Sequence, residues 1–196
     1  ISNKKFTEAD DLRKVNESLF KKEINFFLVG LIHSENNEIE QSINFFKKSI
    51  QENSNYLIAY LKLADTYDKL DKLNVSEQYL KKALLINFTS DVIHNSLGYN
   101  LYKQKKIDDS ILSFKQAIEY NNQNYRAYFN LANSFIKKND FNEAIVCYLK
   151  TIEINKNSPE VYFYLSDAYK MIKNYDLAIH YLKVSLQDKN TTLRRD

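Results

Sequence analysis

The chain has 196 residues, of which 44% are hydrophobic and 27% are charged, and this content is enough to build a core in one or two domains. Its net charge of +3 gives no reason to expect nucleic-acid binding, and without an apolar run of ~18 residues or a signal peptide we expect no membrane association. The single Cys147 excludes an internal disulfide framework and favours a reducing, cytoplasmic location.

The first predicted element is an N-terminal helix within residues 1–22. Thr7 can cap this helix, and the acidic residues that follow it suit the positive end of a helix dipole. Its apolar residues follow helical spacing: Leu12, Val15 and Leu19. The helix is either the second half of an incomplete repeat or a dedicated cap. Because the chain begins with Ile1, we expect a fragment or a processed product.

From Glu23 onward the sequence repeats with a period of 34 residues. Five copies follow without a gap, and the last includes the C-terminal tail: 23–56, 57–90, 91–124, 125–158 and 159–196. The first helices of the copies (A helices) are predicted at 23–36, 57–70, 91–104, 125–138 and 159–172. The second helices (B helices) are predicted at 40–53, 74–87, 108–121, 142–155 and 176–188. A fixed period of this size is typical of an all-α solenoid built from helix-turn-helix repeats.

Several positions of the repeat keep one kind of side chain, when residues are counted from the start of each copy. Position 7 is always aliphatic: Val29, Leu63, Leu97, Leu131 and Leu165. Position 8 is always small: Gly30, Ala64, Gly98, Ala132 and Ser166. Position 24 is always bulky: Phe46, Leu80, Phe114, Tyr148 and Leu182. Large side chains beside small ones are what a close-packed interior requires.

These columns resemble the tetratricopeptide repeat (TPR) family. The family places an aromatic residue at position 4, Leu at 7, a small residue at 8, an aromatic at 11, Ala at 20 and an aromatic at 24. The fourth copy supplies this pattern with Tyr128, Leu131, Ala132, Phe135, Ala144 and Tyr148. The usual Trp and the closing Pro are absent, and His94 and His33 replace aromatic residues. The resemblance implies a right-handed superhelix.

Catalytic chemistry finds no support in the sequence. No HExxH, CxxC or glycine-rich phosphate loop occurs, so we expect no metal, no cofactor and no enzyme activity. His33 and His94 fall in packing columns and are interpreted as core residues, whereas His180 is placed on the outer face of a B helix. Cys147 has no histidine nearby that could activate it as a nucleophile.

The resemblance implies a binding site on the A helices. Positions 2, 5, 6, 9, 12 and 13 form a second stripe, which lines a concave, peptide-binding groove in this family. Repeats three to five offer the best mixture of anchors and hydrogen-bonding groups. The predicted partner-binding residues are Asn95, Tyr99, Tyr102, Arg126, Phe129, Asn130, Asn133, Phe163 and Asp167. Position 5 is never Lys, so the carboxylate clamp of some cochaperones is not met. Each aromatic residue at position 5, Phe27 included, could instead be a packing residue.

We therefore expect a protein–protein interaction module that holds a peptide or partner segment in its groove. One alternative is the substrate-recruiting arm of an enzyme whose catalytic domain lies outside this chain. Another is self-association through uncapped ends, because Ile179, Leu182 and Leu186 would be partly uncovered. The lysines at position 13 could favour acidic peptides, although lysine is also ordinary near a helix C-terminus. They are Lys69, Lys103 and Lys137.

Overall fold

A computed structural model describes residues 21–156 and 158–192, and within them every regular element is an α-helix. The ten helices are α1 (Lys22–Glu35), α2 (Ile39–Glu52), α3 (Leu57–Lys69), α4 (Leu73–Ile86), α5 (Asp91–Lys103), α6 (Ile107–Tyr120), α7 (Tyr125–Lys138), α8 (Phe141–Ile154), α9 (Pro159–Met171) and α10 (Tyr175–Thr192). Odd-numbered helices are the A helices and even-numbered helices are the B helices. The all-α, helix-turn-helix architecture is confirmed. The N-terminal helix predicted within residues 1–22 lies outside the described part, except for Lys21 and Lys22, and Lys22 is the first residue of α1.

The helix ends agree with the predicted ones to within one residue, except at the C-terminal end of α10. The first four B helices begin and end one residue earlier than predicted, because an apolar residue at position 17 already starts the helix. Position 17 is Ile39, Leu73, Ile107, Phe141 and Tyr175. The helix α10 continues to Thr192, four residues beyond its predicted end at 188.

The turn inside each repeat depends on one left-handed residue at position 15. These residues again lie 34 apart, and none is glycine: Asn37 (φ 62°), Asp71 (φ 56°), Lys105 (φ 63°), Asn139 (φ 64°) and Lys173 (φ 61°). After α5, the backbone N–H of Lys106 donates to Leu101 O at 3.0 Å, and that of Lys105 donates to Tyr102 O at 2.9 Å. This pair of bonds is the Schellman motif, which satisfies carbonyls that the helix end leaves open.

The described residues form two compact units, which divide between Phe88 and Thr89. The first unit holds repeats one and two, and the second holds repeats three to five. Within a unit, each A helix packs on its own B helix, and that B helix packs on the A helix of the next repeat. The core of the first unit contains Phe27, Phe46, Ala59, Leu63 and Tyr67. The core of the second contains Ile111, Phe114, Leu131, Ala132, Phe135, Ala144, Ile145, Cys147, Tyr148, Val161, Leu165 and Ala168.

Glycine at position 8 lets a phenylalanine ring lie directly against the backbone of the A helix. A Cβ atom placed on Gly98 would be 2.6 Å from Phe114 Cε1, and one on Gly30 would be 2.7 Å from Phe46 Cδ1. Both rings are fully buried. Where position 8 is alanine in the second repeat, position 24 is the smaller Leu80. The fourth repeat instead combines Ala132 with the buried ring of Tyr148, so the close approach of ring and backbone is a feature of the two glycine repeats.

Two further columns of the A helices are buried, although the predicted packing positions of these helices are 4, 7, 8 and 11. Position 3 is buried in every repeat: Asn25, Ala59, Ile93, Ala127 and Val161. Position 10 is buried in the last four: Thr66, Asn100, Ser134 and Ala168. The hydroxyls of Ser134 on α7 and Ser110 on α6 share a buried hydrogen bond of 3.0 Å. An A helix therefore has a second packing face, turned toward the B helix of the preceding repeat.

Candidate partner-binding groove

The nine predicted groove residues all belong to the second unit, on α5, α7 and α9. Their spacing of three, four and seven residues places those of each helix on one side. None of the nine is buried, which separates them from the packing columns on the same helices. We refer to positions 2, 5, 6, 9, 12 and 13 of α5, α7 and α9 as the groove stripe.

Side-chain amides of the groove stripe are held by internal hydrogen bonds. Asn130 Nδ2 on α7 donates to Asn95 Oδ1 on α5 at 3.0 Å. The hydroxyl of Tyr148 donates to Asn133 Oδ1 at 2.6 Å. Each amide uses one group in these bonds, and an amide carries both a donor and an acceptor group. The oxygen of Asn130 and the nitrogens of Asn95 and Asn133 are thus the groups that could meet a partner.

Tyr164 is the centre of an aromatic cluster and was missing from the predicted site. Its ring meets Phe129 edge-on at 5.5 Å, lies nearly parallel to Tyr148 at 6.2 Å and meets Phe163 edge-on at 5.9 Å. It occupies position 6 of α9, which lies on the groove stripe. Its place on the stripe was the signal that could have identified it.

A concavity of about 430 Å³ opens between α5, α7 and α9. We name it the large groove pocket. Its aromatic walls include Tyr102, Tyr148 and Tyr164, and its polar and charged lining includes Asn133, Asp167, Lys137 and Lys170. Three of the predicted residues therefore meet in one place: Tyr102, Asn133 and Asp167.

A second concavity of about 300 Å³ lies at the N-terminal ends of α7 and α9. We name it the small groove pocket. Arg126 and Phe129 line one side, and Glu160 and Val161 line the other. The guanidinium of Arg126 lies 5.7 Å from the ring centroid of its neighbour Tyr125. Of the remaining predicted residues, Tyr99 and Phe163 are about half exposed and line neither pocket.

Comparison with known families supports the interpretation of the repeats. Models of the tetratricopeptide repeat match residues 25–56, 57–90, 125–158 and 147–180, and a model described as TPR repeat matches residues 98–137. Together the matches span 25–90 and 98–180. The chain belongs to the tetratricopeptide repeat family. This membership makes it a protein-interaction scaffold. A search of curated protein sequences gives no match to this TPR chain.

Solved structures of TPR proteins share the fold. A crystal structure of MamA is 24% identical and covers 84% of this chain and 96% of its own, with a TM-score of 0.79. YrrB, described as a TPR protein with an unusual peptide-binding site, is 18% identical, with a TM-score of 0.73. The match covers 93% of this chain and 94% of YrrB. PilF of Pseudomonas aeruginosa is 18% identical, with a TM-score of 0.74. The match covers 92% of this chain and 78% of PilF. Identities this low establish the fold alone.

Burial controls the ionisation of the aromatic residues around the large groove pocket. Burial raises the pKa of Tyr148 above its usual range, and the neighbouring Tyr164, Tyr102 and Asp167 raise it further. Burial also raises the pKa of Tyr102, with contributions from Tyr99 and Tyr164. These tyrosines therefore stay protonated at neutral pH, and their hydroxyls can donate hydrogen bonds inside the TPR groove.

The lysines of the position-13 column differ in their surroundings. Lys69 forms an ion pair of 2.8 Å with Asp65, one helical turn earlier on α3. Lys138, which follows the column residue Lys137, pairs with Asp108 at 2.8 Å. Within residues 21–156 and 158–186, Lys137 itself forms no ion pair, and it points into the region of the large groove pocket. Lys69, Lys103 and Lys137 each lie in the last turn of a helix, where a positive charge complements the helix dipole, and of these three Lys137 lines the large groove pocket.

The histidines and the cysteine occupy the structural positions that the sequence predicts. His33 is buried and stacks on Phe45, and His94 is buried and stacks on Tyr120. Burial raises the pKa of Cys147 to about 12, so its thiol is protonated at neutral pH. In the part of the chain that the structure describes, no cluster of His, Cys, Asp and Glu could hold a metal ion. None of the helices in that part has the length and apolar character needed to cross a membrane.

The exposed fractions of apolar side chains show which of them serve packing and which are left uncovered. Phe27, at position 5 of the first repeat, is buried in the core and serves packing. On α10, Ile179, Leu182 and Leu186 are between 38% and 53% exposed, which confirms that they are partly uncovered. The last B helix of the described array thus presents an apolar face.

Proposed function

We propose that this TPR chain binds a peptide or an extended partner segment along the groove stripe of repeats three to five. The observation that carries the proposal is the convergence of groove-stripe residues from three successive A helices on one pocket. Tyr102 comes from α5, Asn133 from α7, and Tyr164 and Asp167 from α9. Pockets of about 300 to 1,000 Å³ with apolar walls and a few polar groups are typical ligand sites.

The side chains offer the chemistry that recognition of a peptide requires. Aromatic residues provide a large contact area for a small loss of conformational entropy. The open donor and acceptor groups of the asparagine amides match the carbonyl and N–H groups of an extended backbone. YrrB shares the fold and is described as having a peptide-binding site, which supports the same class of ligand here.

Selection of a random peptide display library against the full chain tests this proposal. Peptides that bind should lose at least about tenfold in affinity, or ~1.4 kcal/mol, when Asn130 and Asn133 are both replaced by alanine. They should also lose affinity for Tyr164→Ala. The matched control is Tyr175→Ala, an exposed tyrosine at the start of α10.

The two asparagines need separate controls, because Asn133 also accepts the hydrogen bond of Tyr148. Tyr148→Phe breaks that bond and keeps the Asn133 amide. It therefore measures how much peptide affinity depends on the orientation of this amide, separately from the contacts that the amide makes with a peptide. Far-ultraviolet circular dichroism should show unchanged helix content in every variant. Selected peptides that bind all groove variants normally, but fail on variants of exposed B-helix residues, would refute the groove as the binding site.

A second candidate function is self-association through the apolar face of α10. The exposed Ile179, Leu182 and Leu186 favour it, since solvent-exposed apolar patches often mark interaction sites. Light scattering over a dilution series should then show a dimer that Ile179→Lys dissociates. The control Lys183→Glu changes an exposed charge on the same helix. A mass that stays monomeric at every concentration would exclude this candidate.

A further inference from the structure

On the basis of the groove function proposed above, we infer that the large groove pocket takes a tyrosine or tryptophan side chain flanked by acidic residues. The walls of the pocket favour an aromatic anchor. The ring of Tyr164 is 42% exposed and lies against the buried ring of Tyr148, and Tyr102 lines the same space from α5. Aromatic rings gain from offset stacking and edge contacts with such walls, beyond the effect of buried area.

The polar groups of the pocket favour an anchor that donates a hydrogen bond. The carboxylate of Asp167 is exposed and pairs with no cation in the part of the chain that the structure describes. It can therefore accept a hydrogen bond from a tyrosine hydroxyl or an indole N–H. A phenylalanine or leucine anchor would leave this acceptor without a partner from the ligand.

The charges of the lining disfavour a cationic anchor. Lys137 and Lys170 lie in the last turns of α7 and α9, and neither forms an ion pair among residues 21–156 and 158–186. With Asp167 they are the charged residues of the lining, and one positive charge is in excess. An arginine or lysine of the partner would meet two ammonium groups. Acidic residues beside the anchor would instead gain charge-assisted hydrogen bonds.

The small groove pocket places a third cation at a defined distance. Arg126 also forms no ion pair within the described residues, and it precedes Asn133 by seven residues on α7. At about 1.5 Å per residue, their Cα atoms are about 10 Å apart along the helix axis. Between the two pockets the segment would follow the axis of α7, and an extended segment advances about 3.3 Å per residue, so about three residues span this distance. The segment should therefore carry a second acidic residue three positions from the aromatic anchor.

The test uses a blocked, fluorescein-labelled peptide with the sequence Asp-Ala-Ala-Tyr-Glu, together with its reverse. Three variants of each replace the tyrosine by alanine, the tyrosine by arginine, or both acidic residues by lysine. Fluorescence anisotropy with the full chain should show that each of these changes weakens binding at least about tenfold. Raising the salt concentration should weaken binding of the parent peptide.

Charge reversals on the protein locate the site without disturbing its core. We expect Lys137→Glu and Lys170→Glu each to weaken the parent peptide several-fold, while the matched Lys183→Glu leaves binding unchanged. All three lysines are exposed, so the variants should keep the wild-type fold. Tighter binding of the arginine peptide, indifference to both groove lysines, or no binding of either parent peptide would each overturn the inference.

The two proposals fail in different ways. Selected display peptides that need the groove stripe but lack the aromatic and acidic pattern would overturn the chemistry inferred for the large pocket, and the groove function would stand. Selected peptides that ignore every groove variant would overturn the groove function itself.

Discussion

Replacing Gly98 by alanine tests whether position 8 must be glycine wherever position 24 is phenylalanine. The added Cβ atom would lie 2.6 and 2.7 Å from two ring carbons of Phe114 and 3.0 Å from a third. Carbon atoms in a core normally approach to about 3.5–4.0 Å. The ring is fully buried and cannot swing into solvent, so the helices of the third repeat must separate.

Two opposing effects set the size of the change. Alanine is a better helix residue than glycine by about 0.5–1 kcal/mol. Overpacking of a core costs about 1–3 kcal/mol. The overpacking is the larger effect, and we expect Gly98→Ala to lower the free energy of unfolding by about 1–2 kcal/mol. Phe114→Leu alone should cost about 1–2 kcal/mol, less than the 3–5 typical of Phe→Ala.

The double variant Gly98→Ala/Phe114→Leu recreates the pair that the second repeat already uses, Ala64 with Leu80. Leucine leaves room for the new methyl group, so the double variant should be more stable than the sum of the single changes predicts, by about 1–2 kcal/mol. Urea denaturation followed by circular dichroism at 222 nm measures all four proteins. Strict additivity, or a stabilised Gly98→Ala, would show that the ring does not limit position 8.

Three further predictions follow from other features of the fold. Lys105→Gly should stabilise the protein by about 0.5–1 kcal/mol, because glycine adopts a left-handed conformation without strain. The control Lys106→Gly changes the next residue, which has a negative φ, and should give no stabilisation. Chemical denaturation measures the free energy of unfolding of both variants. Ala144→Leu should cost about 1–3 kcal/mol by overpacking, whereas Val146→Leu on the exposed side of α8 should leave the melting temperature unchanged. Burial raises the pKa of the Cys147 thiol from its ordinary value of 9.0 to about 12 in the folded chain. The contribution of the buried, protonated thiol to stability is therefore complete below pH 9 and is lost as the pH rises toward 12. Between these pH values the free energy of unfolding, measured by chemical denaturation, should fall less steeply for Cys147→Ala than for wild type. An equally steep fall in both proteins would contradict the burial of the thiol.

The sequence predicted the repeat architecture well because the same packing problem recurs every 34 residues. A column such as Leu63, Leu97 and Leu131 shows the same packing residue in several repeats, so a departure in one repeat does not hide the pattern. The turns between the helices recur with the same period. Helix ends were predicted to within a residue for the same reason. The end of α10 was not, since no following repeat in the chain supplies a comparison.

The groove was predicted less completely, because its properties depend on contacts between different repeats. Tyr148 belongs to the position-24 packing column, and nothing in the column shows that its hydroxyl reaches Asn133. The hydrogen bond from Asn130 to Asn95 joins residues 35 apart, a step that no single repeat contains. Position 10 was missed because Ser134 looks polar in the sequence, whereas its partner Ser110 makes burial possible.

The internal hydrogen bonds of Asn130 and Asn133 would make the proposed groove more selective among partners. A flexible side chain costs about 0.5–1.5 kcal/mol when a ligand immobilises it. Here that ordering takes place during folding, so an incoming segment would meet amides that already have a fixed orientation. Such a rigid surface distinguishes partners by whether their own backbone geometry fits, and it resists adaptation to poorly matched sequences. Loosening it, as Tyr148→Phe does for Asn133, should broaden the range of peptides accepted even where it weakens the best one.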